Sequence, residues 1–239
     1  MISPTFSIIT VCLNEAGSIR ATCDSICAQS FRDFEWIVID GGSTDGTLKI
    51  LEDYEETINF LMSESDHGIY DAMNKGLRRA EGEYVIFMNA GDCFAGLDVL
   101  ARVSAFFGSD MLVGNLFLNE NGQVYKSPDH ISKNYLLQNM LPHQSAFFKR
   151  SLFDKFGHFD TSYHIAGDYE MFARLLQSNE ISYRHIPETI AVFEAGGISA
   201  NVKHRSLRKQ ENHRIRWRYF PAYRHSFKAL RQQLRNIFK

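Results

Sequence analysis

Four apolar runs of strand length, separated by turn or helix segments, dominate the first 90 residues: 6–13 (FSIITVCL), 34–40 (FEWIVID), 58–62 and 84–88. The continuous runs among them are the pattern of strands covered on both faces. Between them, residues 15–28 read as a helix. Residues 41–46 read as a turn whose Ser43 or Asp45 can cap a short helix. Residues 69–80 read as a helix with Ile69, Ala72, Met73, Leu77 and Ala80 on one face. Strand and helix in alternation predict parallel βαβ units with right-handed crossovers. After Asp92 the pattern loosens into a helix near 97–107, a strand pair within 111–125 and a helix over 169–177. No internal repeat or low-complexity linker interrupts the chain. The expected fold class is α/β: a single Rossmann-like domain with a mostly parallel central sheet over residues 1–202, and a C-terminal helical extension over 203–239.

A chain of 239 residues suffices for one domain or at most two. Hydrophobic residues at 44% and charged residues at 23% are those of a soluble globular protein. No apolar run approaches the roughly 20 residues of a membrane-spanning helix. Residues 1–14 carry no basic region ahead of their apolar stretch, so a secretion signal is not expected there. Cys12, Cys23, Cys27 and Cys93 form no CxxC pair and read as reduced packing residues of a reducing, cytoplasmic compartment. The net charge of −2 hides an asymmetry. Residues 203–239 hold 12 Lys/Arg against one acid, Glu211, whereas residues 1–202 hold 14 against 27 Asp/Glu. An acidic body with a basic tail points to two surfaces with different partners.

Open parallel sheets bind ligands at the carboxyl ends of their strands. Here those ends carry Asn14-Glu15, then the segment 40–46 (DGGSTDG), then Asp66-His67-Gly68, then Asn89-Ala90-Gly91-Asp92. Each alone reads equally as a turn, since turns favour Asp, Asn and Gly. Four together favour a nucleotide site. Both the GxGxxG turn and the GxxxxGK[ST] phosphate loop are absent. A binder lacking both most simply holds a diphosphate through a carboxylate-bound divalent cation, and Asp92 is placed for that.

These segments, with 66–76 (DHGIYDAMNKG) and 82–92 (GEYVIFMNAGD), resemble the family 2 glycosyltransferases of GT-A fold. The likeness is greatest to enzymes of bacterial surface-polysaccharide assembly, such as those for colanic acid, capsule or O-antigen. It continues more weakly through His143-Gln144, Gly157-His-Phe-Asp160, Ala166-Gly-Asp-Tyr-Glu170 and Gly196-Gly-Ile-Ser199. The resemblance implies an inverting transfer of a sugar from a nucleotide-diphosphate donor, usually a UDP-sugar, to a glycan or lipid-linked glycan. It implies that Asp40 accepts a hydrogen bond from the base, that Val11, Asn14 and Glu15 line base and ribose, and that Lys75 meets phosphate charge. Asp71, Asn74, Lys75 and Arg78 form one polar stripe, read either as a donor-facing surface or as a solvated helix face. Asn89-Ala90-Gly91-Asp92 stands where the family carries an aspartate-rich metal motif. Asn89 can still bond a ribose, and Asp92 is left as the one side-chain ligand for Mn²⁺ or Mg²⁺. Asp168 matches the family's catalytic base, while its place before an apolar-periodic helix also reads as an N-cap. His143 and Gln144 read as contacts to acceptor or diphosphate, or as a buried, satisfied pair.

Two rival classes are weighed. A sugar nucleotidyltransferase needs a Gly-rich, basic loop after the first strand, where this chain has Asn14-Glu-Ala-Gly-Ser18. A non-catalytic nucleotide- or glycan-binding relative finds its support in the eroded metal motif. In the tail, 214–220 (RIRWRYF) interleaves arginines with aromatics. Tyr223, Phe227, Leu230, Leu234, Ile237 and Phe238 then form a helical stripe edged by Arg224, Lys228, Arg231 and Arg235. Such a helix suits an anionic membrane surface, placing the protein peripherally on the inner face of the cytoplasmic membrane. The alternative is packing on the acidic body or on a second subunit of a homo-oligomer. No nucleic-acid motif is present.

Overall fold

The computed structural model describes residues 3–132, 134–194 and 202–226. Its first half follows the alternation: β1 (Phe6–Cys12), α1 (Ile19–Cys27), β2 (Phe34–Asp40), α2 (Thr47–Glu52), β3 (Phe60–Ser63), α3 (Ile69–Leu77) and β4 (Tyr84–Phe87). Strands β3, β2, β1 and β4 lie side by side and parallel. Successive residues of each strand enter opposite cores, as a strand's two-residue period requires. Ile9, Val11, Ile37, Ile39, Val85 and Phe87 face α3, whereas Ile8, Trp36, Val38 and Ile86 face the side holding Ile19, Cys23 and Ile26 of α1.

The second half supplies β5 (Cys93–Phe94), α4 (Val99–Ser104), β6 (Met111–Leu118), β7 (Gln123–Tyr125) and α5 (Tyr135–Gln138). A 3₁₀ turn (His143–Ser145) follows, then β8 (Ala146–Lys149), α6 (Ser151–Phe156), α7 (Gly167–Gln177) and β9 (Tyr183–Phe193). The chain continues into α8 (Arg205–Tyr219) and α9 (Pro221–Arg224). These strands extend the sheet in the order β3-β2-β1-β4-β8-β6-β9-β5, with β7 on β6. β8 is antiparallel to both β4 and β6, and β9 runs parallel to β6.

Two boundaries differ from the sequence reading for a visible reason. α1 begins at Ile19 rather than at residue 15: residues 15–18 form a turn in which the Ser18 and Ile19 amides both donate to the Glu15 carbonyl, while the Glu15 and Ala16 amides tie that turn to Thr47 and Asp45. At α2 the capping position is Gly46, with φ of 100°, and Asp45 takes the Thr47 N–H from just outside it.

The tail reading needs a correction for its first part. Ile215 and Phe220 are 0% and 3% exposed, and Tyr223, the first member of the expected lipid-facing stripe, is 9% exposed. All three belong to the core shared by α3 and α7. Packing on the body thus takes the residues expected at the membrane up to Tyr223. Phe227, Lys228, Leu230, Arg231, Leu234, Arg235, Ile237 and Phe238 lie outside the described residues, as does the segment 196–199.

Candidate active site

Two loops at the carboxyl ends of β1 and β2 are laced together by four hydrogen bonds. Asn14 N–H donates to Ser43 Oγ (2.7 Å), and Thr44 N–H to Asn14 Oδ1 (2.9 Å). Glu15 N–H donates to Thr47 Oγ1 (2.8 Å), and Ala16 N–H to Asp45 Oδ2 (3.0 Å). Asn14 adopts φ of 55°, a left-handed conformation that Asn tolerates better than most residues. Its side chain and that of Glu15, which Ser18 Oγ bonds, therefore build the rim.

Past β4 the chain turns sharply. Ala90 N–H donates to the Val11 carbonyl, and Asp92 N–H to the Asn89 carbonyl. Gly91 takes φ of 95° and donates its N–H to Thr22 Oγ1. That φ is glycine's territory, which gives a backbone reason for Gly91 where the family motif carries acids. The turn buries Asp92 to 6% exposure, and burial pushes its carboxyl up to about 7 against the pull of His143 and a Gln144 hydrogen bond.

His143 links this turn to α7. Its Nδ1 lies 3.2 Å from Asp168 Oδ2, and its Nε2 lies 3.2 Å from Asn89 Nδ2. In that arrangement Nε2 accepts, so Nδ1–H donates to Asp168. Asn89 Oδ1 is buried and, among the described residues, has no hydrogen-bond partner. Turning the amide would offer that oxygen to a protonated Nε2, so the network accommodates both charge states. Burial lowers the His143 pKa, but the Asp168 hydrogen bond and the Asp168 and Asp92 charges outweigh it and hold the imidazole above its ordinary value.

Asp168 is the second residue of α7. The capping position is Ala166, which makes no side-chain cap, so the N-cap reading of Asp168 is corrected. A carboxylate in the first helical turn is favoured by the helix dipole. Oδ1 accepts from its neighbour Tyr169 N–H (2.8 Å) and from Tyr70 Oη (3.2 Å). The Tyr70 ring lies flat against Gly167, where an added Cβ would come within 2.7 Å of it. The amides entering α7 are met from α8: Glu211 accepts from His164, Ile165 and Ala166 N–H at 2.8–2.9 Å. Sequence reasoning named neither Tyr70 nor Glu211 as a site residue. The signal for Glu211 was its isolation as the one acid among 12 basic residues.

The other expected residues do not all join this cluster. Asp40 is fully buried, and its carboxylate accepts from Gly42 N–H (3.0 Å), Ser43 N–H (2.9 Å), Ser63 Oγ (2.6 Å) and Ser43 Oγ. Three of those bonds fall on Oδ2, while Oδ1 takes the Ser43 hydroxyl and, at 3.6 Å, Cys12 Sγ, so Asp40 shapes the loop from the strand end at which the base contact is expected. The reading of Asn74 is corrected. It clamps the Phe159 main chain, donating to its carbonyl and accepting its N–H at 2.9 Å each. Val11 is part of the core. Lys75 is tied to Glu64 (2.8 Å), to Asp71 (3.7 Å) and to the Ser65 carbonyl, beside a recess lined by Met62, Arg78 and Arg79.

Among the described residues no group of three or more His, Cys, Asp or Glu could hold a metal alone. The buried carboxylate of Asp92 and the orphaned Asn89 Oδ1 are both oxygen donors. They fit a hard cation that takes its remaining ligands from phosphate and water.

A sheet with a parallel half, and acids gathered where its strands end, defines the GT-A class of glycosyltransferase folds. The sequence model described as Glycosyl transferase family 2 matches residues 7–172, and the chain belongs to that family. It is a glycosyltransferase. The PGL/p-HBAD biosynthesis glycosyltransferase of Mycobacterium tuberculosis is 31% identical over 218 residues, covering 88% of this chain and 85% of its own. A putative teichuronic acid biosynthesis glycosyltransferase of Bacillus subtilis, TuaG, is 40% identical over 92 residues, 37% of this chain and 36% of its own. Among solved structures, S. aureus TarS 1–349 in complex with UDP-GlcNAc superposes with a TM-score of 0.75 at 22% identity, over 88% of this chain and 65% of that one. The mannosyltransferase PcManGT of Pyrobaculum calidifontis, in complex with GDP-Man and Mn²⁺, gives 0.68 at 24% identity, over 95% and 66%. These two likenesses concern the fold. Among the described residues no helix is long and apolar enough to cross a membrane.

Proposed function

We propose that the protein transfers a sugar, with inversion, from a UDP-sugar to a hydroxyl of a glycan or lipid-linked glycan in surface polysaccharide synthesis. The observation that carries this reading is the chain Asp92–Gln144/His143–Asp168, which brings a carboxylate suited to a cation and a carboxylate suited to a base under one histidine. Asp168 takes the acceptor O–H proton. The acceptor oxygen forms a bond to the anomeric carbon as the bond to the diphosphate oxygen breaks, and the nucleoside diphosphate leaves with that electron pair. Mn²⁺ or Mg²⁺ held by Asp92 and the Asn89 oxygen would offset charge on the diphosphate.

The test is Asp168→Asn. Transfer falls by about 100-fold or more while nucleotide affinity stays within a few-fold, as for loss of a general base. Unchanged transfer per folded protein refutes the assignment.

The division at 202/203 enters this reading in a narrower form. Residues 205–226 stiffen the catalytic body, and 227–239 hold the enzyme on the anionic inner face of the cytoplasmic membrane. Co-sedimentation with anionic vesicles at low salt, lost on deleting 227–239, supports attachment. Equal sedimentation of both forms refutes it.

A further inference from the structure

α8 lies beyond the residues that the family model matches, which end at 172. One of its faces runs along the segment that carries Asp168. Glu211, Arg214, Arg218 and Tyr219 stand at i, i+3, i+7 and i+8, spacings that put side chains on one side of a helix. Arg218 pairs with Asp160 at 3.8 Å. Arg214 donates to the Ser162 carbonyl (3.1 Å) and hydroxyl (2.8 Å), and its guanidinium lies 3.6 Å from the centre of the Tyr163 ring. Glu211 takes the amides of His164, Ile165 and Ala166. Past Asp168, Arg216 Nε donates to Tyr169 Oη (3.2 Å), and Tyr219 Oη donates to Glu170. Gly167 and Asp168 face the other way, Gly167 against the Tyr70 ring and Asp168 toward the Tyr70 hydroxyl and His143. Asp168 is thus held from two sides, its carboxylate by Tyr70 and His143 and the main chain before it by α8.

Packing alone does not call for this set of bonds, since Ile215, Phe220 and Tyr223 already anchor the C-terminal helices in the core. A carboxylate buried as deeply as Glu211, at 4% exposure, is unfavourable unless it is hydrogen-bonded, and here three main-chain amides satisfy it. An apolar side chain in its place would pack equally well but would leave those amides without an acceptor and the loop before Asp168 free to shift. The capping residue Ala166 makes no side-chain bond that could hold the loop instead. A base must stand within hydrogen-bond reach of the acceptor hydroxyl, and a displacement of about 1 Å can lower a rate by on the order of 100-fold. We infer that α8 belongs to the active site as a positioning element: Glu211, through the main chain of 164–166, sets where the Asp168 carboxylate stands. This rests on the reading of Asp168 as the base.

The experiment compares the full chain as wild type, Asp168→Asn, Glu211→Gln and the double variant. It follows UDP release from a panel of UDP-sugars with Mn²⁺, water standing in for the acceptor hydroxyl. Folding is checked by circular dichroism, and rates are taken well below each melting temperature, so that lost stability alone does not lower them. Glu211→Gln is expected to lower kcat by about 10- to 100-fold with KM for the UDP-sugar within about twofold. In the Asp168→Asn background it is expected to add no further loss, because the group it positions is gone. Tyr219→Phe keeps the ring and removes the bond to Glu170. Its expected effect is a smaller loss of kcat, again absent from the Asp168→Asn background, and it carries the test if Glu211→Gln does not fold. A folded Glu211→Gln at the wild-type rate, or a loss equal in both backgrounds, overturns the inference and leaves Asp168 standing as the base; for Tyr219→Phe the same two results count the same way. An Asp168→Asn as fast as wild type, or a wild type that releases UDP from no UDP-sugar, overturns the base reading and this inference together.

Discussion

Glu211 Oε2 on α8 accepts the main-chain N–H of Ala166 at 2.8 Å, two residues ahead of Asp168. With the His164 and Ile165 amides on the same carboxylate, a side chain from the C-terminal helix satisfies the donors of the loop that enters α7 and of its capping residue. The carboxylate is 4% exposed, so each lost bond leaves a buried donor unpaired. Glu211→Gln replaces one acceptor oxygen with an amide that meets N–H groups head-on. Its expected cost is about 2–4 kcal/mol, read from urea denaturation. A chain ending at residue 201 is expected to lose its cooperative transition, since Ile215, Phe220 and Tyr223 leave the core with it. A variant as stable as wild type would remove this role from Glu211.

Asp92 makes stability depend on pH in a defined direction. Its folded pKa is about 7 against a reference of 3.8, so between those values the folded protein binds a proton that the unfolded chain has released. Stability from this group is therefore lost as pH rises from about 4 to 7. Asp92→Asn is expected to match wild type in melting temperature near pH 4 and to exceed it at pH 8. Adding Mn²⁺ with UDP narrows the difference by stabilising the ionised wild type. A variant that melts below wild type at pH 8 contradicts this account.

The first half of the fold was legible because β1, β2 and β4 are continuous apolar runs, and each ends in residues that suit turns. β9 was not, since Tyr183–Phe193 contains Pro187 and alternates only in part. α8 was missed as a body helix because nearly half of its sequence, RSLRKQENHRIRWRY, is charged and it buries only Glu211, His213 and Ile215. Its basic character looked like a surface for an external partner, yet Arg216 bonds Tyr169 Oη and Arg214 lies over the Tyr163 ring within the same molecule. At the site, residue types at strand ends were readable, whereas the division of labour was not. Asp40, Asp45, Asp66 and Asp92 are alike in sequence. What separates them is which neighbours already donate to their oxygens, and that depends on loop geometry.

His143 predicts the pH dependence of transfer. Its folded pKa lies above 6.5, so its contribution to stability is full below that value and is lost as pH rises through the folded pKa. Activity runs the other way. A protonated imidazole stabilises the Asp168 negative charge and weakens it as a base, so the transfer rate rises as His143 loses its proton. In His143→Gln that limb of the profile is expected to flatten and the maximal rate to fall. A profile unchanged in shape, with only its height reduced, would assign the limb to another group.

The sharpest test of Asp168's surroundings is the contrast between Tyr70→Phe and Gly167→Ala. Tyr70 stacks on Phe159 with ring centroids 5.5 Å apart, and its hydroxyl reaches Asp168 Oδ1. Burial, and then the Asp168 charge, push its pKa well above the ordinary value, so the hydroxyl stays a donor throughout the working pH range. Tyr70→Phe keeps the ring and the stack and removes one hydrogen bond to the base. A rate loss of roughly tenfold is expected, with stability changed by about 1 kcal/mol. Gly167→Ala keeps every polar group but drives a methyl to 2.7 Å from the Tyr70 ring, so the ring or the first turn of α7 must move. Overpacking of this kind costs about 1–3 kcal/mol, and it shifts Asp168 relative to His143 as well as to Tyr70. Gly167→Ala should therefore lose more rate and more stability than Tyr70→Phe. If the two variants were equally active and equally stable, contact between the ring and the helix start would not be what holds the carboxylate in place.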